Sequence, residues 1–458
     1  MRYVSTRGRT PAVSFRTALF EGLAPDGGLY VPASIDPWPG GEIARLPSTP
    51  LVELGVRTLQ PFVGDELTAA RLTDIVADAL DFPIPLVELE RGIHALELFH
   101  GPTLAFKDVG ARVMARLIAA LHDGGGPVTI LVATSGDTGS AVANAFHRVV
   151  NTRVVILYPF GRVSPTQEAQ LAMFNEPSGE SNVTAYALAG TFDDCHRLAR
   201  EAFADHGLRE RARLTSANSI NIGRLLPQMI PYFHGVAQLQ ARLSQAQRAA
   251  PGEIVVSVPS GNFGNLMAGL MAKRAGLPVS RFVAATTVND VVPVYLKTGR
   301  FEPRRSVATL ANAMDVGNPG NFDRISWLYG GNLAAMRRDI VGSRHDDDEV
   351  RTAIRRVYER CGYVLDPHSA IACLGLAAVL PAWERADSVV SAQDVPGRAA
   401  IVLATAHPAK FAEIVEPIVG RPIDPPPSLA DALGAARRIF RLDASLDAVK
   451  EIVDGRRP

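Results

Sequence analysis

Val128-Thr129-Ile130-Leu131-Val132-Ala133 runs into Thr134-Ser135-Gly136-Asp137-Thr138-Gly139, and then into Ser140-Ala141-Val142-Ala143-Asn144-Ala145. The first six residues are mostly apolar and β-branched, which predicts a short buried strand. The next six form a tight polar loop. The stretch from Ser140 to His147 is small and helical in pattern, with Arg153–Tyr158 as the next strand. This grammar returns twice. Glu253–Val258 leads into Pro259-Ser260-Gly261-Asn262-Phe263-Gly264-Asn265 and a helix from Leu266 to Ala275, followed by a strand at Phe282–Thr287. Ala399–Ala404 leads into Thr405-Ala406-His407-Pro408 and another helix. Strands alternating with helices imply parallel sheets covered on both faces. In such folds ligands bind beyond the carboxyl ends of the strands, where these loops lie.

Upstream lies Glu97-Leu98-Phe99-His100-Gly101-Pro102-Thr103-Leu104-Ala105-Phe106-Lys107-Asp108-Val109-Gly110. The chain has five lysines, Lys107, Lys273, Lys297, Lys410 and Lys450, against 42 arginines. Only lysine can form a Schiff base or act as a neutral amine. The apolar run Leu104–Phe106 precedes Lys107, and a helix with Val109, Val113, Leu117 and Leu121 on one face follows it. Lys107 is therefore expected at a partly shielded loop-to-helix junction. A helix N-terminus disfavours a cation, which argues against an ordinary surface lysine there.

The chain before this point reads as a separate unit. Ser14 caps a short helix carrying Phe15, Ala18 and Leu19, and Gly22 ends it. Gly22 to Pro32 carries a hairpin signal, and Pro37 to Gly41 a loop. Two helical patterns follow, Leu51–Gln60 and Glu66–Ala79, before Pro83 and Pro85 break the chain. His345-Asp346-Asp347-Asp348 opens a polar helix with a solvated face, and the tail after Pro427 reads as a peripheral helical cap.

At 458 residues the chain exceeds a single core and fits two or three domains. Its formal net charge is zero, so no field directs it to nucleic acid or an acidic membrane. Cys195, Cys361 and Cys373 are far apart and lack CxxC spacing, which suits a reducing cytoplasm. The N-terminus lacks the apolar core of a signal peptide, and no apolar stretch reaches membrane-spanning length. His100, His368 and His407 are read as structural or substrate-orienting, because their spacing supports no metal site.

Two loops suit anions. At Ser260–Asn265 backbone N–H groups converge on a helix start, Gly261 and Gly264 permit close approach, and Ser260, Asn262 and Asn265 add donors. A phosphate or carboxylate is the expected guest, although the same residues would make an ordinary βα turn. Thr134–Gly139 has the same geometry and would suit an amino-acid carboxylate. Thr215 to Arg224 is dense in donors, with Arg224 as a fork for phosphate. Asn312 to Pro319 is a further turn-rich candidate. Two anion loops and one shielded lysine describe a phosphorylated aldehyde cofactor with an amino-acid substrate.

Taken together, these stretches resemble the threonine synthase family, in its longer microbial and fungal branch of the pyridoxal-phosphate fold-type II enzymes. The resemblance covers nearly the whole chain. It rests on Tyr3-x-Ser5-Thr6-Arg7-Gly8 and on Gly22-Leu23-Ala24-x-Asp26-Gly27-Gly28-Leu29-Tyr30-Val31-Pro32. His100 to Asp108, Ala133 to Ala141, Asn218-Ser219-Ile220-Asn221, Pro259 to Asn265 and Thr405 to Phe411 follow in the family's order. It implies two open parallel-sheet α/β domains with the cofactor in the cleft, plus an N-terminal domain. The boundaries drawn are 1–85 for the N-terminal domain, 86–125 with 216–458 for the large domain, and 126–215 for the small one. Lys107 would bond to pyridoxal 5′-phosphate, Ser260, Gly261, Asn262, Phe263, Gly264 and Asn265 would bind its phosphate, and Thr405 would face its ring nitrogen. Thr134, Ser135, Gly136, Asp137 and Thr138 would hold the substrate carboxylate, with Asn218, Ser219, Asn221 and Arg224 also on the substrate. Relatives of this fold type often carry Asn where Asp137 stands, near the cofactor's 3′-oxygen, so the role of Asp137 stays open. The implied reaction turns O-phospho-L-homoserine and water into L-threonine and phosphate in a cytoplasmic monomer or homodimer, with no metal. Alternatives are a phospho-lyase or serine/threonine dehydratase on the same fold, or a catalytically dead binding protein. The long N-terminal signature disfavours the dehydratase and Lys107 the dead scaffold.

Overall fold

The computed structural model describes residues 1–90, 92–175, 181–242, 252–380 and 398–456. In chain order the strands are β1 (Tyr3–Ser5), β2 (Tyr30–Pro32), β3 (Leu86–Glu90), β4 (Ile93–Glu97), β5 (Val128–Ala133), β6 (Thr152–Pro159), β7 (Val183–Leu188), β8 (Leu214–Thr215), β9 (Glu253–Pro259), β10 (Arg281–Thr286), β11 (Ile340–Arg344), β12 (Arg398–Ala404) and β13 (Phe440–Leu442).

They form three sheets. One has six strands in the order β11-β10-β9-β12-β4-β3, and another five in the order β13-β7-β6-β5-β8. Within these two sheets the pairings are parallel except β3 with β4, which are antiparallel with a bulge between Glu88 and Glu90. Strand β5 is buried along its whole length, as its unbroken apolar run requires of a strand covered on both faces.

The N-terminal segment behaves as its sequence suggests. Ser14 Oγ accepts from Thr17 N at 3.1 Å, and the helix Phe15–Glu21 ends at Gly22, whose φ is 70°. The Gly22–Pro32 stretch departs from the expected local hairpin. Its turn leads to β2, which pairs antiparallel with the distant β1. The helices Leu51–Val63 and Ala69–Ala79 occupy the two helical patterns. The polar helix Asp347–Cys361 starts on a capping box formed by Asp346 and Glu349.

Boundaries by residue number had kept 216–458 in one unit with a helical cap at its end. Instead β13 hydrogen-bonds in parallel to β7, so this tail joins the five-stranded sheet. The helix Leu446–Val453 then packs Val449, Ile452 and Val453 against Leu131, Val155 and Leu198. The reason is apolar area: the face of β5–β7 turned toward the helix Phe192–Ala204 needs a second cover, and the tail supplies it. No described helix is long and apolar enough to cross a membrane.

Candidate active site

Four chain segments leave the carboxyl ends of parallel strands and meet. The segment after β4 carries Lys107, the first residue of the helix Lys107–Leu121. The loop after β5 opens the helix Asp137–Phe146, that after β9 opens the helix Gly264–Arg274, and the residue after β12 is Thr405. Between them lies a cavity of about 870 Å³. Lys107, Asp137, Arg224, Asn265, His368 and Thr405 are among the residues lining it.

Lys107 is mostly buried, its Nζ 3.7 Å from Asp137 Oδ2, an ion-pair distance too long for a good hydrogen bond. Burial pushes its amine down to about 8, and the cations Lys410 and Arg224 add to this against the opposing pull of Asp137. Asp137 Oδ1 accepts from Lys410 Nζ at 2.9 Å and from Gln167 Nε2 at 3.1 Å. Burial opposes its charge, yet Lys410 and Lys107 hold its carboxyl far below the ordinary carboxylate range. Both oxygens of Asp137 thus face cations or donors. A substrate carboxylate placed against Asp137 would be repelled, so the expectation that Asp137 helps hold that carboxylate gives way to a counter-charge role.

The rest of the Thr134–Thr138 turn is folded by its own hydrogen bonds. Thr134 Oγ1 accepts from Gly136 N at 3.0 Å and Gly139 N at 2.9 Å, which folds the turn. Gly136 has a φ of 135°, and a Cβ there would meet the Gln167 amide at about 2.5 Å. Gly136 therefore shapes the loop without lining the cavity, whereas Ser135 and Thr138, both half-buried, do line it.

At the second loop, Phe263 adopts a left-handed φ of 61° immediately before the helix, and its carbonyl accepts from Met267 N at 2.9 Å. The amides of Gly264, Asn265 and Leu266 come before that bond and have no partner in the helix. A Cβ on Gly261 would stand 2.7 Å from Met314 Cα, so the Asn312–Pro319 turn closes on this loop. Asn265 Nδ2 is buried with no partner. Ser260 differs from expectation, because its hydroxyl donates to Val258 O at 2.9 Å instead of facing the cavity.

Asn218, Ser219 and Arg224 line the cavity; Asn221 does not. The Asn221 amide donates to Leu19 O and Ser216 O at 2.8 and 2.9 Å, and its carbonyl caps Gly223 N at 2.9 Å. It therefore holds the loop and has nothing left for substrate. Arg224 is buried, with Nη1 donating to Ala217 O at 2.9 Å and Nε unpartnered. Burial brings its guanidinium down to about 10, still a cation at neutral pH.

Comparison with known proteins decides the family. Residues 79–392 match the family described as pyridoxal-phosphate dependent enzyme, 2–80 the threonine synthase N terminus and 382–453 the threonine synthase C-terminal family. The threonine synthase of Escherichia coli K12 is 40% identical over 99% of both chains, and that of Haemophilus influenzae 44% over 91% of both. The chain belongs to the threonine synthase family. The crystal structure of the E. coli threonine synthase superposes with a TM-score of 0.89, covering both chains fully. The pyridoxal-phosphate-bound threonine synthase of Brucella melitensis superposes with 0.87 at 36% identity over 99% of both chains. The fold is that of the fold-type II enzymes, the cofactor is pyridoxal phosphate and the activity is that of a threonine synthase.

The threonine synthase site fits that cofactor on its own terms. A depressed amine at Lys107 suits an aldehyde, and the free amides and orphaned Asn265 Nδ2 at one helix start suit a phosphate. Thr405 sits 5% exposed with its N–H donating to Ser369 Oγ at 3.3 Å. Lys410, Gln167 and Asp366 were missed from sequence, whereas His368 was read as structural or substrate-orienting. Lys410, Gln167 and the Asp366–His368 pair reach the site from separate elements. His368 Nδ1 donates to Asp366 at 2.6 Å while its Nε2 accepts from Ala313 N at 3.3 Å. Only Lys410 carried a usable signal, as one of few lysines and inside the Thr405–Phe411 motif.

Proposed function

We propose that this threonine synthase converts O-phospho-L-homoserine and water into L-threonine and phosphate. What carries the reading is one cavity holding a depressed amine, a phosphate cradle and a second, unspent cation at Arg224. Bound pyridoxal phosphate supplies an electron sink for the substrate's amino-acid carbons. The Gly264, Asn265 and Leu266 amides, with the Asn265 side chain, would hold its phosphate, and Thr405 would face its ring nitrogen. Ser135, Thr138 and the start of the helix Asp137–Phe146 take the substrate carboxylate. Lys107, its amine depressed by burial, removes and returns protons at the substrate's α- and β-carbons. Arg224 attracts the substrate phosphate and neutralises it as it leaves the γ-carbon. Water then adds at the β-carbon. The enzyme works in the cytoplasm, consistent with three unpaired cysteines. Release of threonine and phosphate in equal amounts from O-phosphohomoserine tests the reading. Phosphate without threonine would make it a phospho-lyase instead.

Arg224→Lys separates substrate binding from cofactor binding. A charged hydrogen bond contributes about 1.5–3 kcal/mol, so KM for the phosphorylated substrate rises roughly tenfold to a hundredfold with cofactor affinity little changed. Equal loss in both would make Arg224 a structural support for Ala217. Thr405→Asp tests the ring-nitrogen contact. A hydroxyl carries no charge near neutral pH, whereas a carboxylate favours a protonated ring and a stronger sink. Threonine's share of the products falls and side products rise. A folded, cofactor-binding variant with an unchanged product ratio would remove Thr405 from the mechanism.

A further inference from the structure

Lys410 is a lysine with no exposed surface, on the short turn Pro408–Phe411 that follows β12. It does not line the cavity. Its Nζ donates to Thr103 O and Asp137 Oδ1, both at 2.9 Å. Thr103 is itself anchored, its N–H and hydroxyl donating to the fully buried Asp108 at 2.9 and 2.7 Å. Asp137 therefore serves two lysines unequally: it is in hydrogen-bond contact with Lys410 and 0.8 Å farther from Lys107. A buried ammonium is costly unless paired closely, and the close pairing belongs to Lys410.

We propose that Lys410 is a positioning residue for threonine formation: it holds the Asp137 carboxylate away from full pairing with Lys107, so that Lys107 is more readily the neutral amine. An amine engaged as an ammonium by a carboxylate can neither bond to an aldehyde nor accept a proton. Lys410 thus makes the nucleophile without touching the cofactor. The charged and titratable groups around the pair are few. Asp137 faces both lysines from the helix Asp137–Phe146, and Arg224 faces Lys107 from the helix Ile222–Leu225. Asp108 lies behind Thr103, His368 faces Asp137, and His407, with His100 beside it, adjoins Lys410. Removing the Lys410 charge takes a repelling cation from Lys107 and frees Asp137 to close on it. Both changes favour the Lys107 ammonium.

The proposal rests on Lys107 being the cofactor lysine, but its test is read without cofactor. Full-length protein stripped of pyridoxal phosphate is acetylated at a series of pH values, and the Lys107 peptide is quantified by mass spectrometry. Lys410→Gln keeps a donor and loses the charge. Its Lys107 titration should move up by roughly 1–2 pH units. The rate of pyridoxal-phosphate capture at pH 7 should fall roughly tenfold to a hundredfold with it. Lys410→Arg, which keeps the charge, should stay close to the parent. If Lys410→Gln does not fold, Asp137→Asn replaces it: with no carboxylate to compete for, Lys107 should titrate lower than in the parent. An unmoved Lys107 titration in folded Lys410→Gln, or in Asp137→Asn, overturns the proposal. Failure of the cofactor-lysine reading would show separately, as borohydride labelling away from Lys107.

Discussion

Lys107→Ala is expected to lower threonine formation about a thousandfold or more, while the protein still folds and binds pyridoxal phosphate non-covalently. The loss is large because one amine both bonds to the aldehyde and moves protons, and no other lysine lines the cavity. Folding survives because Asp137 is not left unpaired: Lys410 still contacts it at 2.9 Å. The pH dependence has a definite sign. With the amine brought down to about 8, its neutral fraction and the capture of cofactor rise as pH climbs through 8 and then level off. Borohydride reduction followed by peptide mapping should place the cofactor on Lys107 in the parent and nowhere in the variant. A label on Lys410 or Lys273 would transfer the role.

The parts legible in sequence are those whose cause is local. Strands β5, β6, β9, β10 and β12 announce themselves because each is an apolar run a few residues long, stopped by Gly, Ser, Asn or Thr. Their loops follow from the same stops, and so do Lys107 and the Gly261–Asn265 cradle. Strands β3 and β4 were less visible. Leu86-Val87-Glu88-Leu89-Glu90 and Ile93-His94-Ala95-Leu96-Glu97 mix charge with apolar residues because β3 is an edge strand with one half-solvated face. What stayed out of reach depends on distant chain segments. Nothing near Phe440 says that β13 pairs with β7, some 250 residues earlier. Asn221 looked like a substrate ligand because asparagines in loops look alike, and only the position of Leu19 and Ser216 assigns its amide to the protein. Asp137 was left open because relatives of this fold type often carry Asn there, and its closest cation, Lys410, arrives from the other end of the chain.

Arg324 is the extreme case, one arginine among 42 with no pattern around it. It does not line the cavity and carries no exposed surface. Its Nε donates to Tyr30 O at 3.0 Å, Nη1 to Ser219 O at 2.9 Å and Asn321 Oδ1 at 2.7 Å, and Nη2 to Ile220 O at 2.6 Å. It thereby ties β2 of the N-terminal segment to the Asn218–Asn221 loop. That loop in turn touches the phosphate cradle, because Ser219 Oγ accepts from Asn262 Nδ2 at 2.8 Å. Arg324→Met keeps the apolar stem and removes every donor. Three carbonyls lose a partner, that of buried Tyr30 and those of half-buried Ser219 and Ile220, at about 1–3 kcal/mol for a fully buried group and less where water can reach, partly offset because the guanidinium no longer has to be desolvated. A net loss of about 3–5 kcal/mol is expected, seen as a fall in thermal midpoint on the order of 3–5 °C for a chain of this length. Cofactor affinity should fall too, since Ser219 is no longer held against Asn262, and the defect should shrink in saturating pyridoxal phosphate by linkage. Arg324→Lys should recover only part of the midpoint, because one ammonium cannot reach four acceptors spread around a planar fork. A midpoint and cofactor affinity both equal to the parent's would mean that the Asn218–Asn221 loop is held by other contacts.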